Sequence, residues 1–224
     1  MAPYCFECTI ISNYKLSFSE PLILVVAGYG GRSTRDFSQV VLANSTKSCS
    51  SLPPYPLKLT SATGGVLKGS PLICGGYHQD QTIGQDDTVE INSSCYIHEK
   101  SSNTWILHAN MKTKRYGHSS AWNNDFLLVT GGLSDEEPLA TTELIFSNGS
   151  VTNGPNLPAP RVGHCMVTLD DGKFMILGGY PSSFFKSVLI FNPETFTFTN
   201  GPSLLNKRDA AGCTHFRSLL HNNR

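Results

Sequence analysis

Four times along the chain an unbroken apolar run ends in a pair, or near-pair, of glycines. The runs are Leu22-Ile23-Leu24-Val25-Val26-Ala27-Gly28-Tyr29-Gly30-Gly31, Leu72-Ile73-Cys74-Gly75-Gly76, Phe126-Leu127-Leu128-Val129-Thr130-Gly131-Gly132 and Phe174-Met175-Ile176-Leu177-Gly178-Gly179. Short apolar runs without polar alternation, bounded by glycine, predict buried strands. The glycines predict backbone that leaves each strand sharply. The second glycines, Gly31, Gly76, Gly132 and Gly179, lie 45, 56 and 47 residues apart, a spacing that predicts structural repeats.

Two further landmarks keep phase with the glycines. Arg115 opens Arg-Tyr-Gly-His-Ser-Ser, Arg161 opens Arg-Val-Gly-His-Cys-Met, and Arg208 opens the looser Arg-Asp-Ala-Ala-Gly-Cys; they are 46 and 47 residues apart. Ten residues before each arginine stands an apolar Trp105, Val151 or Phe198, and six residues further on an apolar Met111, Leu157 or Leu204. Such positions suit packing between layers. Each unit then predicts four short strands. Strand a is typified by Gly117 to Trp122 and strand b by Asp125 to Thr130. Strand c follows a variable loop, as at Thr141 to Phe146 or Ser187 to Asn192. A tight turn (Ser147-Asn148-Gly149 or Asn192-Pro193-Glu194) leads to strand d, and a link such as Asn156-Leu157-Pro158-Ala159-Pro160 leads to the next unit.

A strand ending in Gly-Gly, an apolar strand c, a turn, an aromatic and a Leu-Pro-x-x-Arg link resemble the kelch repeat. The resemblance covers residues 18–216 and implies an all-β fold, a kelch-type β-propeller with four recognisable blades of four antiparallel strands in a partial or atypical ring. The units are 18–57, 58–114, 115–160 and 161–207, with a closing strand over 208–216 and a tail over 217–224. Residues 1–17 form an N-terminal segment. The first unit lacks a clear strand a, for which Gly212 to Phe216 and Cys8 to Ser12 compete. Ser48-Cys49-Ser50-Ser51-Leu52-Pro53, Ile73-Cys74-Gly75-Gly76 and Ser94-Cys95-Tyr96 resemble secreted invertebrate kelch-type proteins.

Composition narrows the function. Seventeen Lys and Arg balance seventeen Asp and Glu, so net charge recruits neither nucleic acid nor an anionic membrane. Apolar stretches fall short of a spanning helix. His118 and His164 are repeat equivalents, each following a glycine, which assigns them to architecture rather than to a metal; Tyr77 and Tyr180 are equivalent in the same way. Neither a nucleophile elbow nor a phosphate loop occurs, so the expectation is a protein without catalytic, cofactor-binding or metal sites. Cys5-x-x-Cys8 lies outside the repeats and is half of a zinc knuckle without its second half, so the two read as terminal cysteines of no fixed role, or as one that pairs within a fuller protein. Cys49, Cys74, Cys95, Cys165 and Cys213 fall on strands or their ends, where cysteine serves as a small apolar residue. Cys74 and Cys95 are cross-strand candidates for one disulfide, with Cys49 as the competing partner. Such a bond suits a secreted or extracellular protein; the first residues show no secretory leader, and the cytoplasm is the alternative. Sequons occur at Asn44, Asn92 and Asn148.

The loops between strands b and c vary most and, being equivalent, emerge on one face. They carry Arg32 and Arg35; His78, Asp80, Asp86 and Asp87; Asp135, Glu136 and Glu137; and Phe184, Phe185 and Lys186. A basic patch beside two acidic ones and an exposed aromatic pair predicts a binding face. The structural set is Gly30, Gly31, Gly75, Gly76, Gly131, Gly132, Gly178, Gly179, Trp105, Phe198, Arg115 and Arg161. The reading is a non-catalytic interaction module whose partner is a protein, or a glycan. The alternatives are a fragment of a galactose-oxidase-like extracellular enzyme and the substrate-recognition arm of a ubiquitin-ligase adaptor.

Overall fold

The structure is a computed structural model, and it describes residues 9–14, 22–29, 34–42, 52–80, 88–135, 137–180, 183 and 185–213. Every regular element among them is a strand, and every pairing is antiparallel. Strands β1 (Thr9–Tyr14), β2 (Leu22–Tyr29) and β3 (Thr34–Leu42) form a three-stranded sheet. The second sheet contains β4 (Thr63–Leu67) and β5 (Ser70–Cys74), then β8 (Ser94–Glu99) and β9 (Thr104–Asn110). Between its middle strands the chain makes a separate hairpin, β6 (Tyr77–Asp80) with β7 (Thr88–Ile91). The third sheet is β10 (Ser119–Trp122), β11 (Phe126–Thr130), β12 (Thr142–Phe146) and β13 (Val151–Asn153). The fourth is β14 (Cys165–Thr168), β15 (Phe174–Leu177), β16 (Val188–Asn192) and β17 (Thr197–Asn200).

The expected four-strand unit therefore appears three times. The first unit's missing strand a is β1, which overlaps the Cys8 to Ser12 candidate and pairs with β2 from Thr9↔Val26 to Tyr14↔Leu22. The rival candidate, Gly212 to Phe216, falls mostly outside the described residues. The second unit's long loop, expected as irregular chain, contains the β6–β7 hairpin.

The unbroken apolar runs have a direct physical reason. Along β11, Phe126 and Leu128 enter a core shared with Met166, Phe174, Ile176, Leu189 and Phe191 of the fourth sheet. Leu127 and Val129 point the other way, into a core shared with Leu67, Leu72, Cys74, Cys95, Ala109 and Met111 of the second. Successive side chains of a strand face opposite ways, so a sheet covered on both faces needs apolar residues at every position. The first strands β1, β4, β10 and β14 lie against one another in chain order. Of the phase-marking residues, Trp105 is buried and donates from Nε1 to the Pro53 carbonyl at 3.0 Å. Val151 packs against the core between the second and third sheets, and Phe198 against that between the third and fourth.

Backbone hydrogen bonds fasten unit to unit at equivalent places. Gly117 N–H donates to Ser61 O at 3.0 Å, Gly163 N–H to Gly117 O at 2.9 Å, and Ala210 N–H to Gly163 O at 2.7 Å. Residues 208–213 thus dock on the fourth unit as the openings of the third and fourth units dock on the ones before. Two disulfides reinforce the array: Cys74–Cys95, which joins directly paired residues of β5 and β8, and Cys165–Cys213, which fixes this last segment to β14. The second corrects the reading of Cys165 and Cys213 as small apolar strand residues. Cys5, Cys8 and Cys49 lie outside the described residues.

Candidate interaction face

The glycine pairs do more than turn the chain. Gly75, Gly76, Gly131, Gly132, Gly178 and Gly179 all have positive φ, between 60° and 94°, where a side chain is strained. The second glycine of each pair donates its N–H to the carbonyl of the arginine that opens the next unit: Gly76 to Arg115 at 2.9 Å, Gly132 to Arg161 and Gly179 to Arg208, both at 2.7 Å. A Cβ on the first glycine would lie 2.6, 2.3 and 2.6 Å from those same oxygens. Backbone crosses backbone at this point, and only glycine leaves room. Gly30 and Gly31 lie outside the described residues.

The arginine side chains complete the crossing. Arg115, fully buried, donates from Nη1 to Gly131 O at 2.7 Å and Thr141 O at 3.2 Å, and from Nη2 to Glu143 Oε1 at 2.7 Å. One arginine thus binds the preceding unit's glycine pair through its carbonyl and its own unit's pair through its guanidinium. Glu143, also buried, accepts from the Lys112 and Thr113 N–H groups at 2.7 and 3.0 Å, anchoring the link between units. Arg161 repeats the pattern with Gly178 O at 2.6 Å, Ser187 O at 3.3 Å and Ser187 Oγ at 2.6 Å. In the place of Glu143, however, the fourth unit has Leu189, and in the place of Lys112 the link has Pro158, which has no N–H to donate. Carboxylate and donor disappear together. Without a carboxylate, desolvation lowers the Arg161 pKa to about 10, and the Phe185 ring lies 4.8 Å from its guanidinium carbon.

The two equivalent histidines are neutral and buried at unit boundaries. Burial, reinforced by Arg161, pulls the His164 pKa down to about 3, and Thr130 Oγ1 lies 2.7 Å from its Nε2. His118 is shifted well down by burial, Arg115 and His164. The residue in its unit boundary equivalent to Thr130 is the disulfide-bonded Cys74, which offers no hydroxyl. Among the described residues no three His, Cys, Asp or Glu side chains gather at one point.

Antiparallel strands place the b–c loops and the inter-unit links at one end of the second, third and fourth sheets and the a–b and c–d turns at the other. On the loop end, Asp135 forms an ion pair with Lys114 of the preceding link, both about half exposed. Glu137 is exposed, and its loop closes through Ser134 N–H donating to Glu137 O at 3.2 Å. His78 on β6 donates from Nδ1 to the Lys58 carbonyl at 2.9 Å. The Tyr77 and Tyr116 rings meet edge to face with centroids 4.8 Å apart, bringing together the loop of the second unit and the opening of the third. Lys186 is exposed. Phe185 corrects the expectation of an exposed aromatic pair: it is half-buried, its ring on Arg161 and its carbonyl accepting from Arg208 N–H at 3.1 Å. Arg35 lies on β3 opposite Gly28, and Asp80 ends β6 opposite Thr88. Arg32, Asp86, Asp87, Glu136 and Phe184 lie outside the described residues.

The structure therefore brings Asp135, Glu137, His78 and Lys186 to one end of the sheets, and adds three residues that sequence reasoning missed: Lys114, Tyr116 and Lys58. The signal for Lys114 was its place directly before Arg115, in the link that the repeat phase already located. Neither a family model nor a curated protein sequence matches the chain.

Proposed function

We propose that this protein is a non-catalytic, kelch-type β-propeller module in a partial or atypical ring. Four units precede a closing segment over 208–216, and the module binds another protein, or a glycan, through its b–c loop face. Consecutive four-stranded units with adjacent first strands and repeated inter-unit bonds support the propeller reading. Two disulfides support passage through an oxidising compartment, and with it secretion. The observation that carries the binding role is how the polar groups are distributed. Arg115, Glu143, Arg161, His118 and His164 are buried at unit boundaries, whereas the loop end presents Lys114, Asp135, Glu137 and Lys186, charged groups that are exposed or half-exposed and differ from unit to unit. Cys74, Cys95, Cys165 and Cys213 are tied in disulfides and unavailable as thiolate ligands, which counts against an oxidase site built on them.

The test uses the full chain, immobilised and probed with panels of extracellular domains and glycans. Asp135→Lys with Glu137→Lys, and Lys186→Glu, are expected to abolish the interaction. Glu194→Lys and Lys100→Glu, at the turn end, are expected to preserve it. Equal loss, or equal retention, in the two groups would overturn the assignment.

A further inference from the structure

We infer that Asn148 is a modification site that carries an N-linked glycan, and that Asn92 does not. The inference rests on the secretory part of the function proposed above. Asn148-Gly149-Ser150 and Asn92-Ser93-Ser94 are both acceptor sequons, and they differ in exposure, in where the sequon hydroxyl is held and in what the asparagine main chain is built into.

Asn148 is exposed at the tip of the β12–β13 hairpin, in the turn that Gly149 closes with φ 82° and an N–H donated to Phe146 O at 3.0 Å. Its Oδ1 accepts from Ser150 N–H at 3.0 Å and from Ser150 Oγ–H at 2.7 Å. The hydroxyl that defines the sequon is therefore already held against the asparagine amide, and polarisation of the carbonyl oxygen leaves Nδ2 outside the turn's hydrogen bonds. Transfer would form a bond from Nδ2 to the anomeric carbon of an oligosaccharide and break that carbon's bond to a lipid diphosphate. Nδ2 loses one proton, and the lipid diphosphate leaves with the bonding electron pair.

Asn92 lies instead between β7 and β8, only partly exposed, with its main chain built into a unit boundary. Its N–H donates to Gly76 O at 2.9 Å, its carbonyl accepts from Arg115 N–H at 3.2 Å, and its Oδ1 accepts from Ser94 N–H at 2.5 Å. A branched sugar there would press on the crossing of glycine pair and arginine. Position adds a functional consequence. Asn148 lies on a c–d turn, at the end of the sheets opposite Asp135, Glu137 and Lys186, so a glycan there shields the turn end and leaves the proposed binding face open.

The full chain, expressed behind a cleavable secretory leader in eukaryotic cells, tests this directly. Release with peptide amidase in heavy-oxygen water converts each occupied asparagine to labelled aspartate, and peptide mass spectrometry reads Asn148 and Asn92 separately. The expected result is label at Asn148, lost in Asn148→Gln and in Ser150→Ala, kept in Ser150→Thr, and absent at Asn92. Secreted, disulfide-bonded protein with unlabelled Asn148, or with labelled Asn92, would overturn the inference. Because the leader imposes the compartment, that failure would leave the binding-face proposal standing, which the loop-face variants test independently.

Discussion

Replacing Glu143 with leucine should test the inter-unit clamp more sharply than any other single change. The substitution installs what the fourth unit carries at the equivalent position, Leu189, so the side chain itself is compatible with the strand. What it removes is the acceptor for three donors: Arg115 Nη2 and the Lys112 and Thr113 N–H groups, at 2.7, 2.7 and 3.0 Å. Removing one partner of a buried ion pair costs about 3–5 kcal/mol, because the remaining charge stays buried. Each orphaned backbone donor costs about 1–3 kcal/mol more, less whatever water recovers at the partly exposed link. The expected destabilisation is about 5 kcal/mol, the lower end of that sum, or about 10–20 °C in Tm for a chain of this size. Urea unfolding followed by circular dichroism under non-reducing conditions measures it. Lys112→Pro added to Glu143→Leu reproduces the fourth unit's pairing of leucine with proline and removes one orphan donor, so it should recover about 1–2 kcal/mol. A Glu143→Leu variant within about 1 kcal/mol of the parent, or a double variant weaker than the single one, would refute the clamp, since either result lies outside the range expected for an uncompensated buried charge.

Three further outcomes follow from the same geometry. Gly131→Ala should fail to fold or lose most of its stability, because its Cβ would sit 2.3 Å from Arg161 O, whereas Gly172→Ala, at φ 78° with open space around it, should cost only about 1–2 kcal/mol; thermal unfolding separates them. Cys165–Cys213 closes a separation of 48 residues and joins half-exposed cysteines, while Cys74–Cys95 spans 21 and is buried. Graded reductant should open Cys165–Cys213 first, by alkylation mass spectrometry, and its loss should cost about 4 kcal/mol against about 3 for the other bond. The His164 pKa is depressed in the folded state to about 3, so the unfolded chain binds the proton first as pH falls. The stabilisation is complete above the unfolded pKa of 6.5 and is lost as pH falls through the window between 6.5 and 3; about 2 kcal/mol should go between pH 7 and 5. His118 adds to the loss in the same direction, and His164→Gln should flatten the urea-midpoint profile.

The repeat was legible because it is local. Runs such as Phe126 to Thr130 combine continuous apolarity with a terminal glycine pair, and the covering of both faces of β11 is what that continuity expresses. What escaped was information held between units. Cys165 and Cys213 stand 48 residues apart, nearly the 47 that separate Arg161 from Arg208, so the spacing already placed them on equivalent strands of neighbouring units. Read within one unit, each was only a small residue on a strand. The β6–β7 hairpin escaped for another reason. Its first strand, Tyr77-His78-Gln79-Asp80, carries no apolar alternation by which a strand is recognised in the sequence. Phe185 was misplaced because an aromatic in a variable loop looks like a ligand anchor until the arginine beneath it is known.

Glu143 shows how far the sequence could have gone. A single charge in the apolar segment Thr142 to Phe146 is costly unless paired, and the arginine of the same unit was already marked by the repeat phase. Comparison of units would have supplied the rest, since the fourth unit has leucine where the third has glutamate and proline where the preceding link has lysine. Correlated differences between repeats within one chain are contact information of the same kind that is ordinarily sought between chains. Here they separate the residues that clamp units together from those left to face outward. Arg115, Glu143 and Arg161 belong to the clamp, whereas Lys114, Asp135, Glu137 and Lys186 vary between units and stay exposed or half-exposed at the loop end, the face proposed above for binding.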